Sequence, residues 1–201
     1  MEIDFSSQSQ LYFGLWEAET YPWMKRLSSD IRTAIDIGAA GGEQTLYFVK
    51  KTGAKNVYAF EPSSEMCGQI KKNLSLNCCD ERKRIVINQK FVGRKNAGNE
   101  VALDSFLDQI EFPCFIKIDI DGDELNALLG AQRLIDLPKV RWLIETHSYQ
   151  LERDCINILT EHGYTTKIVY NAWWRFFIPE QRPGEMNRWL VAYKPDERSS
   201  E

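Results

Sequence analysis

The sequence predicts one α/β domain with a doubly wound sheet of seven strands, the last of them antiparallel. Short β-branched apolar runs alternate with segments of helical period, which is typical of a mainly parallel sheet with helices on both faces. A glycine cluster follows the first apolar run, and the alternation stops near residue 164. The length of 201 residues suits one domain rather than two.

The first five strands are predicted where apolar runs end in a turn signal, at residues 34–37, 56–60, 84–87, 115–119 and 140–145. Helices are predicted between them and after the fifth, at residues 43–51, from Ser63 or Ser64 towards Asn77, at 103–107, at 123–133 and through Leu151 to Leu159. His162-Gly163 ends the last of these helices, because glycine accepts the left-handed conformation of a helix stop.

The tail differs from the rest of the chain. Residues 164–170 and 188–193 both have strand patterns, but no helix pattern lies between them. Two strands joined without a helix pair antiparallel, so the last strand is expected to insert antiparallel through a long connection. Residues 1–30 are expected to form a helical or irregular cap over one end of the sheet, within a single domain that covers residues 1–201.

Composition narrows the classes of partner and the compartment. The net charge of −4 disfavours a nucleic-acid partner, and the densest basic stretch, residues 80–84, contains its own acids. No apolar run approaches the roughly 18 residues of a membrane helix. The N-terminus, residues 1–4, is acidic and lacks the features of a signal peptide. A cytoplasmic protein without a membrane partner is the expectation.

The cysteines do not form a recognisable framework. Their odd number and the lack of a Cys-x-x-Cys spacing disfavour both disulfides and a zinc site. They are expected to be ordinary reduced residues, and they are Cys67, Cys78, Cys79, Cys114 and Cys155.

The strongest functional signal is the run Asp-Ile-Gly-Ala-Ala-Gly-Gly-Glu-Gln-Thr at residues 36–45. It occupies a strand-to-helix turn, where open α/β sheets bind ligands and a helix start offers free N–H groups. Phe60-Glu61-Pro62 places a carboxylate at the end of the second strand, where it can accept both hydroxyls of a ribose. The glycine-rich turn and the Glu61 carboxylate together predict an adenosine-bearing cofactor. The spacing Gly-x-x-Gly-Gly, and the C-terminal strand pair, favour S-adenosylmethionine over a nicotinamide.

On these residues the sequence resembles the FkbM-type methyltransferase family. Three further segments are similar to family motifs: Ile-Lys-Ile-Asp-Ile-Asp-Gly-Asp-Glu at 116–124 with Leu-Leu-Gly-Ala at 128–131, Ile-Glu-Thr-His at 144–147, and Phe-Gly-Leu-Trp-Glu at 13–17. The resemblance spans about residues 12–165 and implies a Rossmann-like class I fold. Ala40, Asp121 and Trp16 depart from the family's usual Asn, Glu and Tyr.

The resemblance implies a cofactor role for each matching residue. The backbone around Gly38, Ala39, Gly41 and Gly42 would hold the methionine carboxylate of S-adenosylmethionine, with Asp36 and Thr45 ordering the turn. Glu61, beside Pro62, would bind the ribose. Asp119 would face the sulfonium, although the same residue could also be a helix N-cap.

An alcohol acceptor must also lose its proton, and His147 is the side chain best matched to neutral pH. His147 could instead be a surface histidine, and Asp121, Glu124 and Glu145 are alternative bases. Asp119, Asp121 and Glu145 converge on one rim and could suit a divalent ion. No metal is expected to be required, since carboxylates near a positive sulfonium do not need one.

The predicted activity is therefore O-methylation of a hydroxyl on a small molecule or sugar. The alternatives are an S-adenosylmethionine-binding or interaction protein without turnover, and a nicotinamide oxidoreductase. The aromatic run at residues 173–177 could fill the core, form a homodimer contact, or line the acceptor site.

Overall fold

A computed structural model of the chain describes residues 5–77, 84–179 and 188–195. Cys78, Cys79 and all but Arg84 of the basic stretch at 80–84 lie outside these ranges. Cys67, Cys114 and Cys155 are buried free thiols. None of the helices in the described ranges has the length and hydropathy needed to cross a membrane.

The strands of the described residues form one large sheet and one small pair. They are β1 (Thr33–Ile37), β2 (Asn56–Phe60), β3 (Arg84–Asn88), β4 (Phe91–Val92), β5 (Glu100–Val101), β6 (Cys114–Ile118), β7 (Val140–Thr146), β8 (Thr165–Val169) and β9 (Arg188–Tyr193). Seven of these strands form the central sheet in the order β3-β2-β1-β6-β7-β9-β8. β9 runs antiparallel to both β7 and β8, so the prediction of an inserted antiparallel last strand is confirmed.

Helices cover both faces of the sheet. They are α1 (Phe5–Tyr12), α2 (Tyr21–Leu27), α3 (Glu43–Lys51), α4 (Ser64–Leu76), α5 (Glu124–Leu129), α6 (Gln132–Asp136) and α7 (Tyr149–Glu161), with 3-10 turns at Ala18–Thr20, Leu103–Gln109 and Trp173–Phe176. α5, α6 and α7 bury apolar side chains on one face. α2, α3 and α4 do so on the other. Met24 and Leu27 of α2 belong to the same apolar cluster as α3 and α4. The cap over one end of the sheet by residues 1–30 stays a prediction.

Two details differ from the sequence prediction. The single helix predicted at residues 123–133 is two helices, α5 and α6. The break lies at Gly130, where a Cβ would come within 2.0 Å of the carbonyl oxygen of Gly93. Asp104 then caps α6, because its carboxylate accepts hydrogen bonds from the amides of Arg133 and Leu134, both at 2.9 Å. The parallel pair β4–β5 is an element that the prediction lacked.

Candidate functional site

The glycine-rich turn lies at the carboxyl ends of β1 and β6. Gly38 has φ +73°, and a Cβ there would come within 1.7 Å of the carbonyl oxygen of Asp119, so only glycine fits. Gly42, at φ +90°, is the N-cap of α3. Ala40 also has a left-handed φ, +44°, which is unusual for alanine. The turn thus brings backbone amides at a helix start against the end of the neighbouring strand.

A buried polar cluster supports the turn from beneath. Asp36 on β1 is fully buried and pairs in register with Lys117 on β6. The Thr45 hydroxyl donates to Asp36 Oδ2 at 2.6 Å, which ties α3 to β1. Lys117 Nζ donates to the carbonyl oxygen of Gly38 at 3.1 Å. Asp36 and Thr45 therefore shape the turn from below, and Asp36 is not among the residues that line the cleft described below.

Lys117 is surrounded by carboxylates. Its Nζ lies 3.6 Å from Asp36 Oδ1 and 3.4 Å from Asp119 Oδ2. Burial alone would lower the pKa of Lys117, but Asp119, Asp36, Glu17 and Glu145 together outweigh it and hold the pKa above its usual value. The pKa of Asp36 is raised by burial, which Lys117 only partly offsets. Acidic groups therefore outnumber the lysine at this edge of the sheet, which suits a cationic ligand.

Glu17 reaches this cluster from the N-terminal segment. It is 5 % exposed and has a left-handed backbone, with φ 49°. Trp16 Nε1 donates to Glu17 Oε1 at 3.0 Å, and Gln44 Nε2 donates to Glu17 Oε2 at 2.9 Å. Since Gln44 is in the first turn of α3, residues 15–17 lie beside the glycine-rich turn.

Glu61 stands at the end of β2, opposite the turn. Its Oε2 accepts a hydrogen bond from the Ala40 amide at 3.0 Å and its Oε1 accepts one from the Ser63 amide at 2.9 Å. A carboxylate has about four acceptor positions, so two remain for ligand hydroxyls. Ser63, not Ser64, is the cap of α4.

A cleft of about 280 Å³ opens between these strand ends. It is bounded by the turn on one side, by the strand following β3 on another and by the loop after β6. Its lining residues are Ile37, Gly38, Phe60, Glu61, Pro62, Lys90, Phe91, Val92, Asp119, Ile120, Asp121 and Asp123. The predicted ribose residue Glu61 and the predicted sulfonium residue Asp119 thus share one cleft. Asp119 is not a helix cap, because Asp123 occupies the N-cap position of α5.

His147 lies beside this cleft, within a group of carboxylates. Its Nδ1 is 2.5 Å from Glu124 Oε1, and its Nε2 is 3.2 Å from Asp121 Oδ1 and 3.8 Å from Asp119 Oδ1. Because a carboxylate accepts, Nδ1 carries the hydrogen in this pair. The hydrogen bond to Glu124 is the main reason that the pKa of His147 is raised, although burial opposes it. Glu124 is fully buried and also accepts from the Gly122 amide at 3.1 Å, so it orients the ring.

The same group contains a possible ligand set for a cation. One ligand atom each from Asp119, Glu145 and His147 lies within 4.8 Å of the others, whereas Asp121 is not part of this set. Lys117 Nζ, at 3.4 Å from Asp119, already supplies a positive charge there. That no metal is required therefore stays a prediction.

Lys117, Glu17 and Phe91 contribute to the site but received no role in the sequence prediction. Lys117 had a visible signal, since a lysine between two isoleucines of a buried strand needs a buried partner. Glu17 lay inside a motif but carried no assigned role. Phe91 lines the cleft from β4, which pairs with β5, and no periodicity reveals a contact between two-residue strands.

Comparison with known proteins gives one matching family model and several solved structures of the same fold. A family model described as "Methyltransferase FkbM domain" matches residues 99–189. No curated protein matches the chain in sequence. The methyltransferase FkbM from Methylobacillus flagellatus KT superposes with a TM-score of 0.67 at 24 % identity, over 82 % of this chain and 44 % of that one. This chain therefore spans less than half the length of that protein.

Two further solved structures share the fold. Precorrin-6y C5,15-methyltransferase from Geobacter metallireducens GS-15 has a TM-score of 0.59 at 17 % identity, over 89 % of this chain and 87 % of that one. TrmK from M. capricolum, in complex with S-adenosyl-homocysteine, has a TM-score of 0.56 at 14 % identity, over 88 % and 69 %. The resemblance to the FkbM-type methyltransferases is thus confirmed, by the family model over residues 99–189 and by a Rossmann-like methyltransferase fold over most of the chain.

Proposed function

We propose that this chain is an S-adenosylmethionine-dependent methyltransferase that O-methylates a hydroxyl of a small molecule or sugar. The observation that carries the proposal is one cleft that joins a glycine-rich turn, the Glu61 carboxylate and the Asp119 carboxylate. The family model over residues 99–189 supports the same class of reaction.

The residues present fit the cofactor. The amides of Gly38, Ala39, Ala40 and Gly42 donate to acceptors within the protein, so the turn would favour the methionine carboxylate mainly through the dipole at the start of α3. Glu61 keeps acceptor positions for two ribose hydroxyls. The carboxylates of Asp119, Glu17 and Glu145 all interact with Lys117. They outnumber its single positive charge, and this excess of negative charge suits the sulfonium and the ammonium group of the cofactor. Gly38 is required because its backbone packs against the carbonyl oxygen of Asp119, to which a Cβ would come within 1.7 Å, so the turn and the end of β6 lie side by side at the cleft.

When bound, S-adenosylmethionine supplies a methyl group on a cationic sulfur, which leaves with the bonding electron pair as the acceptor oxygen attacks the methyl carbon. The protein's main task is to hold acceptor and methyl in line, and such proximity can contribute roughly 7–11 kcal/mol. Asp119, at the carboxyl end of β6, would fix the sulfonium end, while Glu61 and the turn fix the rest.

His147 Nε2 would accept the proton of the acceptor hydroxyl. Glu124 holds Nδ1 with its hydrogen pointing away from the cleft, which leaves the lone pair of a neutral ring on Nε2. Asp119 and Asp121, at 3.8 and 3.2 Å, would then stabilise the imidazolium that forms. Since Glu124 raises the pKa of His147, the base is fully available only above the ordinary histidine range.

Two other functions can be distinguished from methyl transfer by ligand binding and by turnover. A nicotinamide oxidoreductase would bind NAD, and a binding protein without turnover would bind S-adenosylhomocysteine but methylate nothing. The net charge of −4, and the carboxylates of Asp119, Asp121 and Asp123 at the cleft, favour a small neutral acceptor over a nucleic acid.

The test is a screen for methyl transfer from radiolabelled S-adenosylmethionine to small-molecule alcohols, sugars and RNA. The proposal expects label on a hydroxyl of a small molecule, and expects it to disappear in Asp119→Asn. Label on RNA, or on a nitrogen, would contradict the O-methylation part. Binding of S-adenosylhomocysteine with no label on any acceptor would favour the binding protein without turnover.

A further inference from the structure

Two segments that are far apart in sequence are joined beside the candidate site. One is residues 10–20, which precede β1, and the other is residues 170–179, which follow β8. Val169 of β8 and Glu145 of β7 both lie opposite Trp189 of β9, so β7 and β8 run in the same direction. The segment after β8 therefore leaves the sheet at the carboxyl edge, where the glycine-rich turn lies.

An arginine on the second segment holds the first segment through a buried ion pair. Arg175 is 8 % exposed, and its Nε and Nη2 donate to the two carboxylate oxygens of Glu19, both at 2.8 Å. Its Nη2 also donates to the carbonyl oxygen of Leu15, and the Ala172 amide donates to Glu19 at 3.0 Å. A bidentate pair of arginine and carboxylate fixes orientation as well as distance. The pair therefore holds the backbone on both sides of Glu17.

Glu17 connects this ion pair to the glycine-rich turn. It is 5 % exposed, and its two carboxylate oxygens accept hydrogen bonds from Trp16 Nε1 at 3.0 Å and from Gln44 Nε2 at 2.9 Å. Gln44 is in the first turn of α3, which begins at the glycine-rich turn. Because both oxygens already accept hydrogen bonds within the protein, Glu17 acts through its neighbours: it fixes the first turn of α3 and keeps a negative charge near Lys117.

Two routes of contact lead from Glu17 to the part of the turn that would face the methionine half of the cofactor. Through Gln44, Glu17 fixes the first turn of α3, whose dipole favours a carboxylate. Through Lys117, whose charge it stabilises, Glu17 affects the carbonyl oxygen of Gly38, which accepts from Lys117 Nζ at 3.1 Å. Glu61, which would bind the ribose, contacts the turn through a different amide. A displacement of Glu17 should therefore weaken binding of the methionine half and spare the adenosine half.

We propose that Arg175 and Glu19 are positioning residues for the cofactor: they hold Glu17 against the glycine-rich turn, and the affinity for the methionine half of S-adenosylmethionine depends on that contact. The inference rests on the proposed function. Neither Arg175 nor Glu19 is among the described residues that line the cleft, so the pair acts on the cofactor through Glu17 and its neighbours. Coupling through a chain of contacts of this kind changes an affinity by about two- to thirty-fold.

The test compares two ligands that differ only in the methionine half. Calorimetry gives the Kd of the full chain for S-adenosylhomocysteine and for methylthioadenosine, which keeps the adenosine and the sulfur but lacks the amino-acid group. The variant is Glu19→Met/Arg175→Met, because replacing both members of a buried ion pair by apolar side chains spares the fold better than removing one member. We expect the Kd for S-adenosylhomocysteine to rise about two- to thirty-fold and the Kd for methylthioadenosine to stay within about twofold.

A second ion pair of the same kind supplies the matched control, Asp30→Met/Arg141→Met. Arg141 pairs with the Asp30 carboxylate and donates to the carbonyl oxygen of Leu27 at 2.8 Å, as Arg175 does with its own carboxylate and carbonyl partners. It lies at the start of β7, on the edge of the sheet opposite the candidate site. The control should bind both ligands as the wild type does.

The remaining outcomes separate the two proposals. An unchanged Kd for S-adenosylhomocysteine in the Glu19/Arg175 double variant would refute the positioning role and leave the methyltransferase proposal standing. An equal loss of affinity for both ligands would also refute it, because the pair would then serve the fold as a whole. If the double variant does not fold, Glu17→Gln decides: it leaves the ion pair in place and should show the same selective loss, and wild-type affinity would refute the proposal. A wild-type chain that does not bind S-adenosylhomocysteine would instead refute the methyltransferase proposal.

Discussion

Replacing Lys117 by methionine should destabilise the protein strongly, because it leaves buried carboxylates without their cation. Lys117 is 3 % exposed, and Asp36, Glu145 and Glu17 around it are 0, 0 and 5 % exposed. Removing one partner of a buried ion pair typically costs about 3–5 kcal/mol. In a chain of this size each kcal/mol lowers Tm by about 2–4 °C, so Lys117→Met should lose about 6–20 °C at pH 7.5.

The effect should also depend on pH with a defined sign. The pKa of Asp36 is raised by burial, and the loss of Lys117 removes the charge that opposes this rise. A raised acid pKa means that the ionised form destabilises the fold above that pKa, so acidification relieves the penalty. The Tm difference between Lys117→Met and wild type should therefore shrink from pH 8 towards pH 5.

Thermal unfolding followed by circular dichroism measures both effects. Lys55→Met is the control, since Lys55 is exposed and its loss should change Tm by no more than about 2 °C. A Lys117→Met variant within about 3 °C of wild type at pH 7.5, or one whose deficit grows on acidification, would refute the role assigned to this buried cluster.

Four further predictions follow from the site. Glu61→Ala should weaken S-adenosylhomocysteine binding about ten- to a hundred-fold by calorimetry while the far-ultraviolet spectrum stays native; an unchanged Kd would remove Glu61 from the site. His147→Ala should lower kcat about a hundred- to ten-thousand-fold with that Kd nearly unchanged, and a loss of binding instead would argue against a base. Wild-type kcat should rise with pH through the raised pKa of His147, and Glu124→Gln should move this rise to lower pH. A pH profile of kcat that is the same in wild type and Glu124→Gln would contradict the pairing of His147 with Glu124. Ala40→Asn should raise Tm by about 2–4 °C, because asparagine tolerates the left-handed backbone at φ +44°, and a lower Tm would show that no strain is stored there.

Metal dependence is tested by chelation. We expect that no metal is required, since Lys117 supplies positive charge next to Asp119. Extensive dialysis against EDTA should leave methyl transfer within about twofold of the untreated protein. Loss of activity that Mg²⁺ or Mn²⁺ restores would assign Asp119, Glu145 and His147 as ligands instead.

Much of the fold follows from patterns that are local in the chain. β2 at Asn56–Phe60, α3 at Glu43–Lys51 and β9 at Arg188–Tyr193 have the predicted bounds, because an apolar period and a capping or breaking residue mark each end. The split between α5 and α6 could not be predicted in this way. It depends on Gly93 packing against Gly130 and on Asp104 capping from a distant segment, which are contacts between parts of the chain far apart in sequence.

The candidate site shows the same division. The turn and Glu61 could be located because each directly follows an apolar strand. The pairing of His147 with Glu124 could not, since it joins the end of β7 to the start of α5 and depends on how these elements pack. Glu124, considered as an alternative base, is fully buried and orients the histidine. Similarly, only the structure shows that Trp173 and Phe176 remain exposed while Arg175 between them is buried.

The central claim is that the cleft between the glycine-rich turn and Glu61 binds the adenosine and methionine parts of S-adenosylmethionine. Isothermal titration calorimetry of the full chain with S-adenosylhomocysteine, and in parallel with NAD, tests it most directly. We expect one site for S-adenosylhomocysteine per chain and no measurable heat with NAD. Binding of NAD without binding of S-adenosylhomocysteine would show that the cleft is not a site for S-adenosylmethionine.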